Sequence, residues 1–150
     1  NLILLDRYLP SSENALRASA EYIGAKASPN FVPHGNRETR WYYNAMGSRW
    51  KEASAYAQSE KWDKAAEHWM HLYEKSSSPK AKAKAASNLA LGNEMKTNLD
   101  EAYEWANKSY ELFKKSEGED GKNTKLLALY VEVLRNRIRS DKKLNMQFGE

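Results

Sequence analysis

The chain contains no cysteine, so disulfides, thiolate metal sites and cysteine nucleophiles are excluded, and the redox compartment stays open. Long apolar runs are missing too. Leu2–Leu5 is too short for the core of a signal peptide and has no basic stretch before it, and nothing approaches the ~20 apolar residues of a membrane-spanning helix. A soluble chain without membrane contact of its own is expected. No basic stripe interleaved with base-stacking aromatics is evident, which argues against nucleic acid as a partner. No useful length of alternating apolar and polar residues occurs either, and that makes the expected class all-α. The chain opens on Asn1 instead of methionine. It is therefore expected to be an excised or processed form, any signal or lipid-anchor segment having been removed.

What is present describes a folded protein. The chain's 150 residues fit one domain, long enough to bury roughly 70% of the unfolded surface. A composition of 41% hydrophobic and 29% charged residues, with five Trp and nine Tyr, is too rich in aromatics for a disordered segment. The net charge of +4 permits weak attraction to acidic partners. Lys and Glu nevertheless alternate along most of the expected helices, the pattern of solvated faces.

Read in order, the chain gives helix after helix. Leu16, Ala20, Ile23 and Ala27 are helically spaced behind Ser12, a suitable N-cap, which predicts a helix over 12–27. The two prolines and the glycine of Ser28–Asn36 make a loop, and a short helix from Arg37 to Met46 is expected after it. Helices follow at about 48–58 and 62–75, the second presenting Trp62, Ala65, Trp69 and Leu72 on one face. Ser78 before Pro79 is a helix start, with Ser as N-cap and Pro at the first helical position. Asn98 and Glu101 have capping-box spacing, and the helix they open is expected to bury Leu99, Ala102, Ala106 and Tyr110, with Trp105 and Phe113 on its flanks. Gly118 and Gly121 mark a loop. A last helix over 123–139 presents Leu127, Val131, Leu134 and Ile138 on one face and a polar stripe of Lys125, Glu132, Asn136 and Arg139 on the other, as a terminal cap does.

Two stretches of this series are offset copies. Ala53–Tyr56 reappears as Ala90–Asn93 and Trp62–Ala65 as Leu99–Ala102, 37 residues apart in each case. A period of this length, with small residues on both helices, belongs to helix–turn–helix solenoids. At these residues the chain resembles the tetratricopeptide repeat, over 47 to about 116. Trp62, Ala65, Trp69 and Leu72 fit the family positions in one copy, and Leu89, Ala90, Leu99 and Ala102 in the next. Ala106 is small where the family has a bulky residue, the Pro expected after the second copy is missing, and three extra residues per unit fall at Ser76–Ser78. The first helix has two registers, one set by Trp50, Ala53 and Ala57, the other by counting back from Ala65. Arg40–Tyr43, Trp50, Trp62, Trp69 and Asn88–Ala90 also resemble an uncharacterised family of bacterial cell-envelope lipoproteins, which would imply a periplasmic or surface location. The resemblance to the repeat implies an all-α, right-handed α-α superhelix of about seven helices in a single domain spanning 1–150. Its parts would be N-terminal helices within 12–46, repeat one at 47–78, repeat two at 79–116 and a capping helix at 123–139.

The repeat family binds ligands on a concave surface lined mainly by first helices. Carried over, this points to Lys51, Lys84, Ser87, Asn88, Leu91 and Glu94, with Lys122 and Lys125 from the last helix, where a row of donors on rigid helices would hold an extended acidic peptide or its carboxylate; solvated helix faces are the favoured reading of the same residues. Lys51, Asn88 and Lys122 take three of the five positions of a carboxylate clamp known in the family, and Ala55 and Leu126 occupy the others. In the second register Trp50 replaces Lys51. A second candidate is the cluster Arg37, Arg40, Trp41, Tyr42, Tyr43 and Arg49, whose cations and aromatics suit stacking on a sugar or planar ligand. The same aromatics suit an amphipathic helix packed on the first repeat, and packing is the favoured reading. His68 and His71 are helically spaced, but a third metal ligand is missing nearby. Gly118–Thr124 lacks the spacing of a phosphate loop and reads as a turn, and Glu117, Glu119 and Asp120 beside it are expected to be solvated. No Ser/His/Asp arrangement can be assembled. The expectation is therefore a non-enzymatic scaffold without metal or cofactor, binding a protein or peptide. The alternative is a glycan- or small-ligand-binding envelope protein that uses the cluster Trp41–Trp50.

Overall fold

A computed structural model describes residues 40–148, all within one compact unit, Arg40–Glu150. Among the described residues there are five helices and no strand: α1 Ser48–Gln58, α2 Trp62–Lys75, α3 Pro79–Met95, α4 Leu99–Glu117 and α5 Lys122–Phe148. Each helix packs on the next in the chain, as the short connections between them require. α3 starts where Ser78 and Pro79 predict, the Ser78 Oγ accepting from the Ala81 N–H at 3.3 Å. α4 starts at Leu99, but the Asn98 side chain makes no capping bond, so the expected capping box is not formed.

The 37-residue offset is written into the backbone of the two tight turns. Glu60 and Thr97 both adopt left-handed conformations, at φ 57° and 63°. In the first turn the Lys61 N–H bonds the Tyr56 carbonyl at 2.9 Å, and in the second the Asn98 N–H bonds the Asn93 carbonyl at 2.9 Å. The inner bonds correspond as well, Glu60 to Ala57 and Thr97 to Glu94. Both turns thus end their helices with the same six-residue closure. This pairs Ala53 with Ala90 and Tyr56 with Asn93, and makes Lys51 the positional counterpart of Asn88.

α3 is the centre of the unit. Ala83 and every residue from Ala85 to Glu94 are buried, so this helix is covered all round, which no single amphipathic stripe achieves. Its small residues admit close neighbours. A Cβ at Gly92 would lie 3.5 Å from the indole of Trp69 on α2, and the Ser109 hydroxyl of α4 donates to the Ala83 carbonyl at 2.8 Å. Ala65 and Ala102, the first-turn alanines of α2 and α4, are wholly buried. One core cluster joins Trp50, Ala53, Ala65, Trp69 and Leu89 across α1–α3; a second joins Ala90, Ala102, Ala106, Val131 and Leu134 across α3–α5; a third joins Ala83, Phe113 and Leu127.

Several expectations are corrected. The helix expected over Arg37–Met46 is not formed at 40–46, which is non-helical up to Gly47 at φ 125°. Its Trp-Tyr-Tyr core is strand-favouring, and the backbone polar groups of Tyr43 pair with a side chain of α3 instead of with a helical turn. The terminal helix runs to Phe148 instead of stopping near 139, because neither Gly nor Pro interrupts the sequence between Gly121 and Gly149. The expected seven helices become five among the described residues; the helix over 12–27 and the loop at 28–36 lie outside them. Phe113, expected on a flank, is completely buried, and Tyr110 is half-buried.

Candidate functional site

α3 and α5 present polar residues to the same place, and the non-helical segment Arg40–Ala45 lies across it as a strap. The strap is held first by its backbone. Asn88, with no exposed surface, accepts from the Tyr43 N–H through Oδ1 and donates to the Tyr43 carbonyl through Nδ2, both at 2.7 Å. A carboxamide can satisfy both groups of one residue only when the chain passes it extended, as a neighbouring strand would.

The strap's side chains then divide as those of a strand do. Tyr42 packs with the α1–α3 core near Trp69, at a ring separation of 6.3 Å, and its hydroxyl accepts from Gln58. Tyr43 points to the third core cluster, its ring 5.5 Å from that of Phe113 and edge-on to Trp41 at 4.9 Å. Its hydroxyl donates to Asn123 Oδ1 at 2.7 Å, Asn123 donates to Glu117 at 2.8 Å, and Lys80 pairs with Glu117 at 2.7 Å. The Lys80 ammonium bond, with Asn123 assisting, holds the Glu117 carboxyl below the usual carboxylate range. Lys84 stands 5.9 Å over the Tyr43 ring.

Glu94 is the charged centre of the groove, with its side chain only 3% exposed. Arg40 Nε donates to both its oxygens, at 3.0 and 3.2 Å; Tyr130 donates its hydroxyl at 2.6 Å; and Arg137 donates through Nη1. One buried carboxylate therefore sits between two guanidiniums, the arrangement that keeps a desolvated anion tolerable. Burial, reinforced by the Glu94 charge, raises the Tyr130 phenol far above its ordinary value. Burial, with Glu117 nearby, does the same to Tyr43. Both stay neutral donors.

Parts of the two candidate sites of the sequence meet. Asn88, Glu94 and Lys84 meet Arg40, Trp41 and Tyr43, and Tyr42 anchors the strap on its other side. Ser87 and Leu91 are buried and Lys51 and Lys122 exposed, while Lys125 pairs with Asp120 at 3.0 Å; none of these five touches the strap in the contacts described above. Of the cluster Trp41–Trp50, Trp50 is buried and Trp41 is 36% exposed. Asn123, Tyr130 and Arg137 were not anticipated, although they recur every seventh residue and so share a face of α5. His68 stacks on Tyr56 at 5.4 Å, whereas His71 lines a cleft of about 700 Å³ with Asp63, Glu67, Met70, Glu101 and Trp105. Among the described residues no three His, Asp or Glu side chains converge on a metal position, and no helix is long and apolar enough to cross a membrane.

Residues 1–43 match the family model described as Domain of unknown function (DUF8603). Residues 51–136 match that described as Domain of unknown function (DUF6340). No curated protein and no solved structure matches the chain. The second match spans more than half of the chain, including all of α2, α3 and α4, and the protein therefore belongs to the DUF6340 family.

Proposed function

We propose that the protein is a non-enzymatic scaffold of tetratricopeptide type whose groove between α3 and α5 binds an extended protein or peptide segment. The observation that carries this reading is the paired bond of Asn88 to the N–H and carbonyl of Tyr43. A rigid, buried carboxamide that grips backbone in this way recognises an extended chain whatever its side chains, and the surrounding groups add selectivity. The repeated turn at Glu60 and Thr97 supports the kinship with helix–turn–helix repeats. Non-enzymatic action fits the same groove, whose titratable groups are engaged in holding the strap.

The test is cross-linking of the tagged protein in its native cell with an amine-reactive reagent, followed by mapping of the linked lysines. Partner polypeptide linked to Lys84 and Lys122, beside the groove, is the expected outcome. Links confined to Lys64, Lys75, Lys108 and Lys115, on α2 and α4, refute the groove as the binding face.

A further inference from the structure

The groove contains its own specificity. Its one deeply buried charge among the described residues is Glu94, and this carboxylate receives the Arg40 guanidinium. Three residues further along the strap, Tyr43 is read at both ends, by Asn88 at the backbone and by Asn123 at the hydroxyl, with Phe113 under the ring. The acidic ligand implied by the family resemblance does not suit these contacts. An incoming carboxylate at Glu94 would meet a like charge with little water to screen it.

Strap and groove also fall under different family models. Arg40–Tyr43 falls inside the stretch matched by DUF8603, whereas Asn88, Glu94, Phe113, Asn123 and Tyr130 fall inside the stretch matched by DUF6340.

We propose that this groove is a receptor for extended basic–aromatic polypeptide segments, with a cation three residues before a tyrosine, and that Arg40–Tyr43 is its resident occupant, displaced when a segment of the same chemistry binds. This rests on the peptide-binding reading above and names its ligand. Binding in trans must then overcome the strap. The apparent affinity for an external segment is reduced by the fraction of molecules whose groove is open, so loosening the strap strengthens binding and loosening the groove weakens it. Those opposite signs separate a receptor from a mere structural contact.

The experiment uses the whole chain and a fluorescent peptide with the sequence of residues 38–46, read by polarisation. The double variant Arg40→Ala/Tyr43→Ala is expected to bind the peptide about tenfold or more tighter than the unaltered chain. Adding Glu94→Gln to it is expected to abolish that gain, as is a peptide with Glu in place of its Arg. Helical circular dichroism equal to that of the unaltered chain is required of each variant. A second readout needs no variant: hydrogen exchange at residues 40–43 of the unaltered chain should accelerate as the peptide is raised to millimolar concentration. A folded double variant that binds no better than the unaltered chain overturns the proposal, as does strap exchange that ignores the peptide. Either failure leaves the cross-links at Lys84 and Lys122 to decide the scaffold reading independently.

Discussion

Replacing Asn88 by Ala removes both hydrogen bonds that hold the Tyr43 backbone. At roughly 0.5–1.5 kcal/mol net for each bond, the pair contributes on the order of 1–3 kcal/mol. If the strap stayed seated, its bared N–H and carbonyl would each cost about 1–3 kcal/mol in unmet desolvation. Peeling away avoids that penalty at the expense of the Arg40–Glu94 and Tyr43–Asn123 contacts, so the strap is expected to open locally while the helices remain packed. Hydrogen exchange with urea titration separates the two levels. Since about 1.4 kcal/mol is a factor of ten, exchange at residues 40–45 should rise about ten- to a hundredfold, the core of α3 changing only with global stability. Asn88→Asp keeps the acceptor, loses the donor and sets a charge against the Tyr43 carbonyl, so it should open the strap as well. Unchanged strap exchange in Asn88→Ala would mean that these two bonds do not hold the strap, and strap and helices accelerating together by one factor would mean that it does not open separately.

Ala65→Leu and Ala102→Leu should each overpack a wholly buried contact and lower the urea-derived stability by about 1–3 kcal/mol; neutrality at both sites would contradict the repeat packing. Ser78→Ala should lose the cap on α3 and cost about 1 kcal/mol, measured in the same titration. Tyr43 and Tyr130 have phenol pKa values raised by burial, so the folded state holds protons that the unfolded state releases. Stability should therefore be undiminished below about pH 10 and fall as pH rises beyond it. In a spectrophotometric titration Tyr43 and Tyr130 should ionise only as helicity is lost, and ionisation of every tyrosine with helicity intact would contradict their burial.

Much of the helical order was legible because its signals are local. Ser78 and Pro79 announce α3 through a side-chain bond and a fixed φ, and the 37-residue offset survives because both hairpins need small residues where their helices meet. The strap was not legible as a strap. Its alternation, with Trp41 and Tyr43 to one side and Tyr42 to the other, lasts only three residues and is equally consistent with a short amphipathic helix; what decides is Asn88, 45 residues away in sequence. The groove was half legible. Asn88, Glu94 and Lys84 lie on the face that the repeat resemblance selects, but the strap that covers Asn88 and Glu94 is remote in sequence. The sevenfold recurrence of Asn123, Tyr130 and Arg137 was present in the sequence, masked by the more conspicuous apolar face of Leu127, Val131 and Leu134. The left-handed turns at Glu60 and Thr97 carry no glycine and gave no local signal.

In the proposed reading the groove between α3 and α5 receives an extended basic–aromatic segment through Asn88 and Glu94. The most direct measurement is photo-cross-linking with the peptide of residues 38–46, carrying benzoylphenylalanine in the place of Tyr43, on the folded Arg40→Ala/Tyr43→Ala chain. Mass spectrometry should place the cross-links on residues around Phe113 and Asn123, and an excess of unlabelled peptide should remove them. Cross-links confined to other surfaces, or no more abundant than those of a scrambled peptide, would contradict the account.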